Sequence, residues 1–123
     1  MAINIFQNWL DQLGKKWIAL DPEGAADLFS KDVVYFESTL KNPCKSWGEV
    51  FELWKVIPDN QKDITYNFEI LAIKDDLCVA NWQMERTLLP QNIKQKIDGI
   101  FVIKLNKDGL CNYFKQWRTA ENY

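Results

Sequence analysis

From residue 62 onward the hydrophobic pattern has a period of two, and it keeps that period almost to the end of the chain. The runs DITYNFEILAI, LCVANWQMERTLL, KIDGIFVIKL and LCNYFKQWRT follow one another, with only KDD, LPQN and NKDG at the joins. Alternation of apolar and polar residues puts side chains on opposite faces of a pleated strand, and the joins have turn composition. Strands connected by such short turns run antiparallel. Half of the chain is thereby committed to a meander, and what precedes it must cover one face of the sheet.

The preceding half has the helical period. Phe6, Trp9, Leu10, Leu13, Trp17 and Leu20 recur at steps of three and four, which predicts a helix over residues 4–19 with one apolar face. In DPEGAADLF, Asp21 can cap a second, short helix and Pro22 suits its first position, where no amide donor is needed. That helix feeds a strand, VVYFES, Val33 to Ser38. A third helix lies within NPCKSWGEVFELWKVIPD, with Ser46 as cap, Glu49 completing a capping box and Pro58 as its stop. At 123 residues, 1–123 reads as a single α+β domain that buries roughly two thirds of its unfolded surface.

Composition narrows the function. Acidic residues outnumber basic ones by 17 to 15 and no basic run occurs, which argues against a nucleic-acid partner. No apolar run approaches the ~20 residues that span a bilayer. The start, MAINIFQNWLDQLGKKW, has its acid early and its bases late, the reverse of a signal peptide, so a cytoplasmic location is expected. There is no histidine, which excludes Ser-His-Asp and Cys-His catalysis and histidine metal sites. Cys44, Cys78 and Cys111 are odd in number and far apart, so they read as reduced residues, neither a zinc site nor a disulfide framework. No glycine-rich phosphate motif is present. No metal or organic cofactor is expected.

The segments WIALDPEGAADLFSKDVVYFES, SWGEVFELW and DGIFVIKLNKDGLCNYFKQW, in this order and spacing, resemble the nuclear transport factor 2-like superfamily in its SnoaL-like and ketosteroid-isomerase-like branches. The resemblance covers nearly the whole chain. It implies a cone-shaped, cystatin-like α+β fold: N-terminal helices packed on a curved, mainly antiparallel sheet, with a pocket inside the cone. It also implies frequent dimerisation through the outer sheet face. Some members are isomerases, cyclases, dehydratases or epoxide hydrolases, and others are binding or interaction modules, so the fold alone does not give the function.

The strand pattern allows the pocket to be sketched without the family. If Asp75 and Asp76 form a two-residue turn, Ile70 stands opposite Asn81, Phe68 opposite Gln83 and Tyr66 opposite Glu85 on one face. If NKDG closes the last hairpin with Leu105 opposite Leu110, then Ile103 meets Asn112, Phe101 meets Phe114 and Gly99 meets Gln116. These sets are expected on the concave face, which would then be aromatic with a few polar groups, as small-molecule pockets are. Trp82, Met84, Ile100, Val102, Tyr113 and Trp117 fall on the other face, an apolar surface suited to a second subunit. A single bulge would exchange the sets, because register has a period of two.

Glu37, at the end of VVYFES, reads either as a solvated strand end or as a base at the pocket mouth. The resemblance places it where ketosteroid isomerases carry their general base, and an apolar pocket would raise its affinity for a proton. The oxyanion donors of that chemistry are a tyrosine of the first helix and a protonated aspartate of a later strand. Trp17 and Phe101 stand at the matching positions, so that route is not expected here. The two aspartates and arginine of the epoxide-hydrolase branch are matched by Gln83, Glu85 and Gln116, of which Glu85 alone could take a proton. In this register Arg86 and Asp98 point to the outer face. Trp9, Trp17 and Trp54 lie on helical faces as core or pocket wall.

The candidate set is therefore Glu37 and Glu85 for acid–base work, with Trp17, Tyr35, Trp54, Tyr66, Phe68, Gln83, Phe101, Phe114 and Gln116 lining the pocket. The expected function is a small-molecule pocket protein for an apolar or aromatic ligand. It would be either a cofactor-independent acid–base enzyme of isomerase, cyclase or dehydratase type, or a non-catalytic dimeric interaction or ligand-binding module of the same fold.

Overall fold

The computed structural model describes residues 2–123. Helix α1 spans Ala2–Ile18, and α2 is the short Pro22–Ala26. The Asp21 side chain accepts the Gly24 amide, which caps α2 as expected. Strand β1 is Phe29–Phe36, so it begins earlier than the sequence suggested and Glu37 lies just beyond it. Helix α3 is Trp47–Trp54, with Ser46 accepting the Glu49 amide and Glu49 accepting the Lys45 amide. Pro58 does not end this helix. It sits in the first turn of a separate one-turn helix, α4 (Ile57–Asn60), where its missing amide costs nothing.

The four long strands follow as β2 (Gln61–Lys74), β3 (Leu77–Leu88), β4 (Ile93–Leu105) and β5 (Cys111–Asn122). They form the expected antiparallel meander. Strand β1 adds to its end in parallel with β5, giving the order β1-β5-β4-β3-β2. No local pattern announces this fifth, parallel pairing, because the chain reaches it only after crossing the whole meander. Irregularities in the ladder at Lys62/Thr65, Ile70/Ala72 and Lys104/Leu105 bend the sheet around the helices.

One of these irregularities decides which residues face inward. The Asp75–Asp76 turn pairs Lys74 with Leu77, as expected, but Leu71 bulges out. Beyond it Ile70 pairs with Ala80, Phe68 with Trp82 and Tyr66 with Met84. Trp82 and Met84 are therefore buried under the helices, while Gln83 and Glu85 are exposed on the outer face. Both pairs are the reverse of the expectation, and the single extra residue is the reason. On β4 and β5 the expected faces hold although the pairing slides by two residues. Ile103 meets Phe114 and Phe101 meets Gln116, and two is a whole period.

The core is aromatic. Phe6, Trp9, Leu10, Leu13 and Trp17 of α1 pack on the concave sheet face. Trp82 stacks on Phe101 with centroids 4.7 Å apart, and Phe101 touches Phe114 at 5.0 Å. Full burial of side chains this size stabilises the fold by about 1.5–3 kcal/mol each. All three cysteines are free, with Cys78 and Cys111 acting as small core residues. Among the described residues no helix is long and apolar enough to cross a membrane, and no three or more Cys, Asp or Glu side chains cluster so as to hold a metal ion.

Candidate functional site

Side chains two apart on a strand share a face, so the strand that buries Val33 and Tyr35 carries Glu37 inward at its end. Glu37 stands at the open end of the cone. The Tyr35 hydroxyl donates to its Oε2 at 3.1 Å, and Arg118 Nη1 donates to its Oε1 at 3.4 Å. Gln116 Nε2 donates to the Glu37 backbone carbonyl at 3.1 Å, which ties the strand end to β5. The side chains of Glu37 and Arg118 are each 38% exposed, so this pair is partly screened by water. Glu37 fits neither a bare solvated strand end nor the desolvated setting implied by a base in an apolar pocket: both of its oxygens are engaged and one is held by a cation.

Above Glu37 lies a cavity of about 220 Å³. Its walls come from Leu13 and Trp17 on α1, Leu53 and Trp54 on α3, Val56, Ile57 and the start of β2, and from Tyr35 and Phe114 on the sheet. Gln61, Arg86, Gln116 and Arg118 supply polar edges, and Glu37 is the one carboxylate among the lining residues. The aromatic walls brace one another. Trp17 and Trp54 meet edge to face at 5.1 Å, and Tyr35 stacks on Phe114 at 4.6 Å. Trp17 Nε1 donates to Gln61 Oε1 at 3.2 Å, while the buried Trp54 Nε1 makes no hydrogen bond.

The electrostatics separate the groups. Burial, and then the Glu37 charge, push the Tyr35 hydroxyl well above its ordinary pKa, so it stays a neutral donor. Burial, and then the charge of Arg118, lower the Arg86 guanidinium to about 10, with Glu37 working the other way. Arg86 was expected on the outer face. The Leu71 bulge turns it inward with Met84, and its Nε donates to Gln95 Oε1 at 2.9 Å. Arg118 was not singled out at all, although it continues the Phe114–Gln116 alternation on the same face.

Of the expected lining residues, the structure brings Trp17, Tyr35, Trp54, Phe114 and Gln116 together around Glu37. Tyr66 and Phe68 are on the concave side but pack against the core, where Tyr66 lies under Gly14 of α1. Phe101 is fully buried beneath Trp82 and Phe114. Gln83 and Glu85 belong to a different place, a groove on the outer sheet face with Lys96 and Asp98. There Glu85 accepts the Tyr123 hydroxyl at 2.6 Å, and Gln83 donates to Asp98 at 3.3 Å. Asp98 is exposed on the outer face, as expected. A wider depression of about 540 Å³ shares Glu37, Gln116 and Arg118, and Trp117 is the one aromatic residue among its lining.

No family model matches the sequence, and no curated protein matches it. Solved structures do. The epoxide hydrolase/cyclase-like enzyme SalBIII, of pyran ring formation in salinomycin, superposes with a TM-score of 0.80 at 14% identity, over 99% of this chain and 95% of that one. The Δ5-3-ketosteroid isomerase of Mycobacterium sp. gives 0.75 at 12% identity, over 93% and 96%. An NTF2-like protein of unknown function from Exiguobacterium sp. 255-15 gives 0.75 at 13% identity, over 94% and 98%. Helices followed by a curved, mixed five-stranded sheet, together with these superpositions over nearly full length, establish that the chain has the nuclear transport factor 2-like fold.

Proposed function

We propose that this chain binds a small apolar or aromatic molecule in the cone mouth, with Glu37 placed to exchange a proton with it. The observation that carries this reading is the cavity itself. Trp17, Trp54, Tyr35 and Phe114 are among its walls, and it has one carboxylate, Glu37. Apolar walls with a few convergent polar groups are the usual make-up of a small-molecule site. The volume of about 220 Å³ lies below the roughly 300–1,000 Å³ of drug-sized pockets, which favours ligands of one or two rings. Superposable structures that act on small molecules, an isomerase and an epoxide hydrolase/cyclase-like enzyme, support the class of ligand. Proton exchange through a carboxylate needs no metal or organic cofactor.

The test is a library of one- and two-ring compounds scored by melting temperature. A compound present at about 100 times its Kd stabilises the folded state by about 2.7 kcal/mol. Hits that lose their effect in Trp54→Ala support the reading. A library without hits, or hits indifferent to Trp54→Ala, contradicts it.

Assembly is a second proposal, a homodimer through the outer sheet face. Ile100, Val102 and Tyr113 are half-buried there, and Trp117 is 44% exposed. With Trp82 and Met84 now inside, the apolar patch is smaller than the sequence suggested. Phe36 enlarges it, with its ring 6.1 Å from that of Tyr113.

A further inference from the structure

We propose that the cone mouth is a carboxylate-recognition site, and that its ligand is a small aromatic or alicyclic acid whose anionic head lies against Arg86 and Arg118. This deepens the reading above and rests on it.

The charges lining the cavity do not balance. Arg86 and Arg118 face a single carboxylate, Glu37. That carboxylate is already engaged, by Arg118 at one oxygen and by Tyr35 at the other. Among the described residues no carboxylate lies within ion-pair distance of Arg86. Its guanidinium is nonetheless half-buried and held in place, because Nε donates to Gln95 and Gln95 in turn donates to Asn122 at 3.2 Å. A cation taken partly out of water is costly unless it meets a counter-charge. Here the protein orients the guanidinium without supplying one.

The Trp54 indole N–H is buried in the wall and directed at the Tyr35 hydroxyl, without a hydrogen bond of full geometry. Two other wall donors are satisfied internally: Trp17 by Gln61, and Gln116 by the Glu37 carbonyl. A neutral hydrocarbon would leave the Arg86 head without a counter-charge, and a cation would be repelled. A carboxylate supplies two acceptor oxygens and a charge, and its planar geometry matches the guanidinium fork. The aromatic walls then take the rest of the molecule. The site thus selects for a flat apolar body ending in an anion.

The experiment is calorimetric titration of the whole chain with matched pairs: benzoate, cyclohexanecarboxylate and 2-naphthoate, each against its neutral amide. The acids are expected to bind about tenfold tighter than the amides, in keeping with a charge-assisted hydrogen bond. The preference should shrink as salt is raised from low ionic strength. Arg86→Met, and separately Arg118→Met, should reduce the preference of acid over amide to within about threefold. Amides that bind as tightly as the acids overturn the anion assignment and leave the pocket standing. A preference that survives both arginine variants overturns the role of these residues. If no compound of either series binds, the pocket reading itself fails and this inference with it.

Discussion

At the scale of single residues, the structure turns on how each polar group inside the cone is satisfied. The Trp17 indole N–H has one buried acceptor, Gln61. Gln61→Leu strands that donor and should destabilise the fold by about 1–3 kcal/mol in urea denaturation. Gln61→Leu combined with Trp17→Phe, which removes donor and acceptor together, should cost less than the sum of the two single changes. Glu37 has a separate test. A bound ketone with exchangeable α-protons should lose them to D2O in the native protein, followed by proton NMR. Glu37→Gln should bind the same ketone and stop the exchange, and unchanged exchange would remove Glu37 from any acid–base role. The buried thiols give a pH dependence. Burial raises Cys78 to about 11 and Cys111 further. Above pH ~8.5 the unfolded chain releases thiol protons that the folded chain keeps, so stability present below that pH is lost as pH rises. Urea midpoints should fall between pH 9 and about 11, and Cys78→Ala should make the fall shallower. Glu37 and the aromatic walls were readable in the sequence because they lie before the bulge or on strands whose faces survive a two-residue slip. Arg86 and Gln61 were not: one depends on the Leu71 bulge, and the other is the first residue after a helix no periodicity announced.

At the scale of elements, β3 and β4 show how a glycine sets strand packing. Gly99 pairs with Trp82, and a Cβ there would come within 2.5 Å of both the Trp82 indole and the Trp117 carbonyl oxygen. The carbonyl belongs to the neighbouring strand and cannot move aside. Gly99→Ala should therefore destabilise the protein by about 1–3 kcal/mol in thermal or urea unfolding, with overpacking as the cause. A neutral outcome would mean that Trp82 is not seated as described. Helices α1 and α3 and all four meander strands follow from period, caps and turns, since each is a local decision. The Ile70/Ala72 irregularity is different. Nothing in ITYNFEILAIKDD marks Leu71 as the extra residue, because a bulge there is chosen by the curvature the sheet needs to close on α1. That one residue moved Trp82 and Met84 from the outer face to the core, and Gln83 and Glu85 from the pocket to the surface.

For the whole molecule, the fold is set by helices feeding a meander, while β1 is brought to β5 by tertiary packing that no local pattern announces. Light scattering at micromolar concentration is expected to report about twice 14.5 kDa, with an isologous dimer covering Trp117 and Tyr113. Trp117→Glu should give a monomer with the same fold, whereas a native chain that is already monomeric removes the dimer proposal. The central claim is that a small molecule enters the cone mouth, and the indole N–H resonances of the six tryptophans report on it directly. Trp17 and Trp54 line the cavity, whereas Trp47 donates to Asp27 outside it and Trp117 stands on the outer face. Titration with 2-naphthoate in a two-dimensional nitrogen–proton spectrum should move the Trp54 and Trp17 signals and leave those of Trp47 and Trp117 in place. Movement confined to Trp117 or Trp47, or no movement at any indole with any one- or two-ring compound tried, would contradict it.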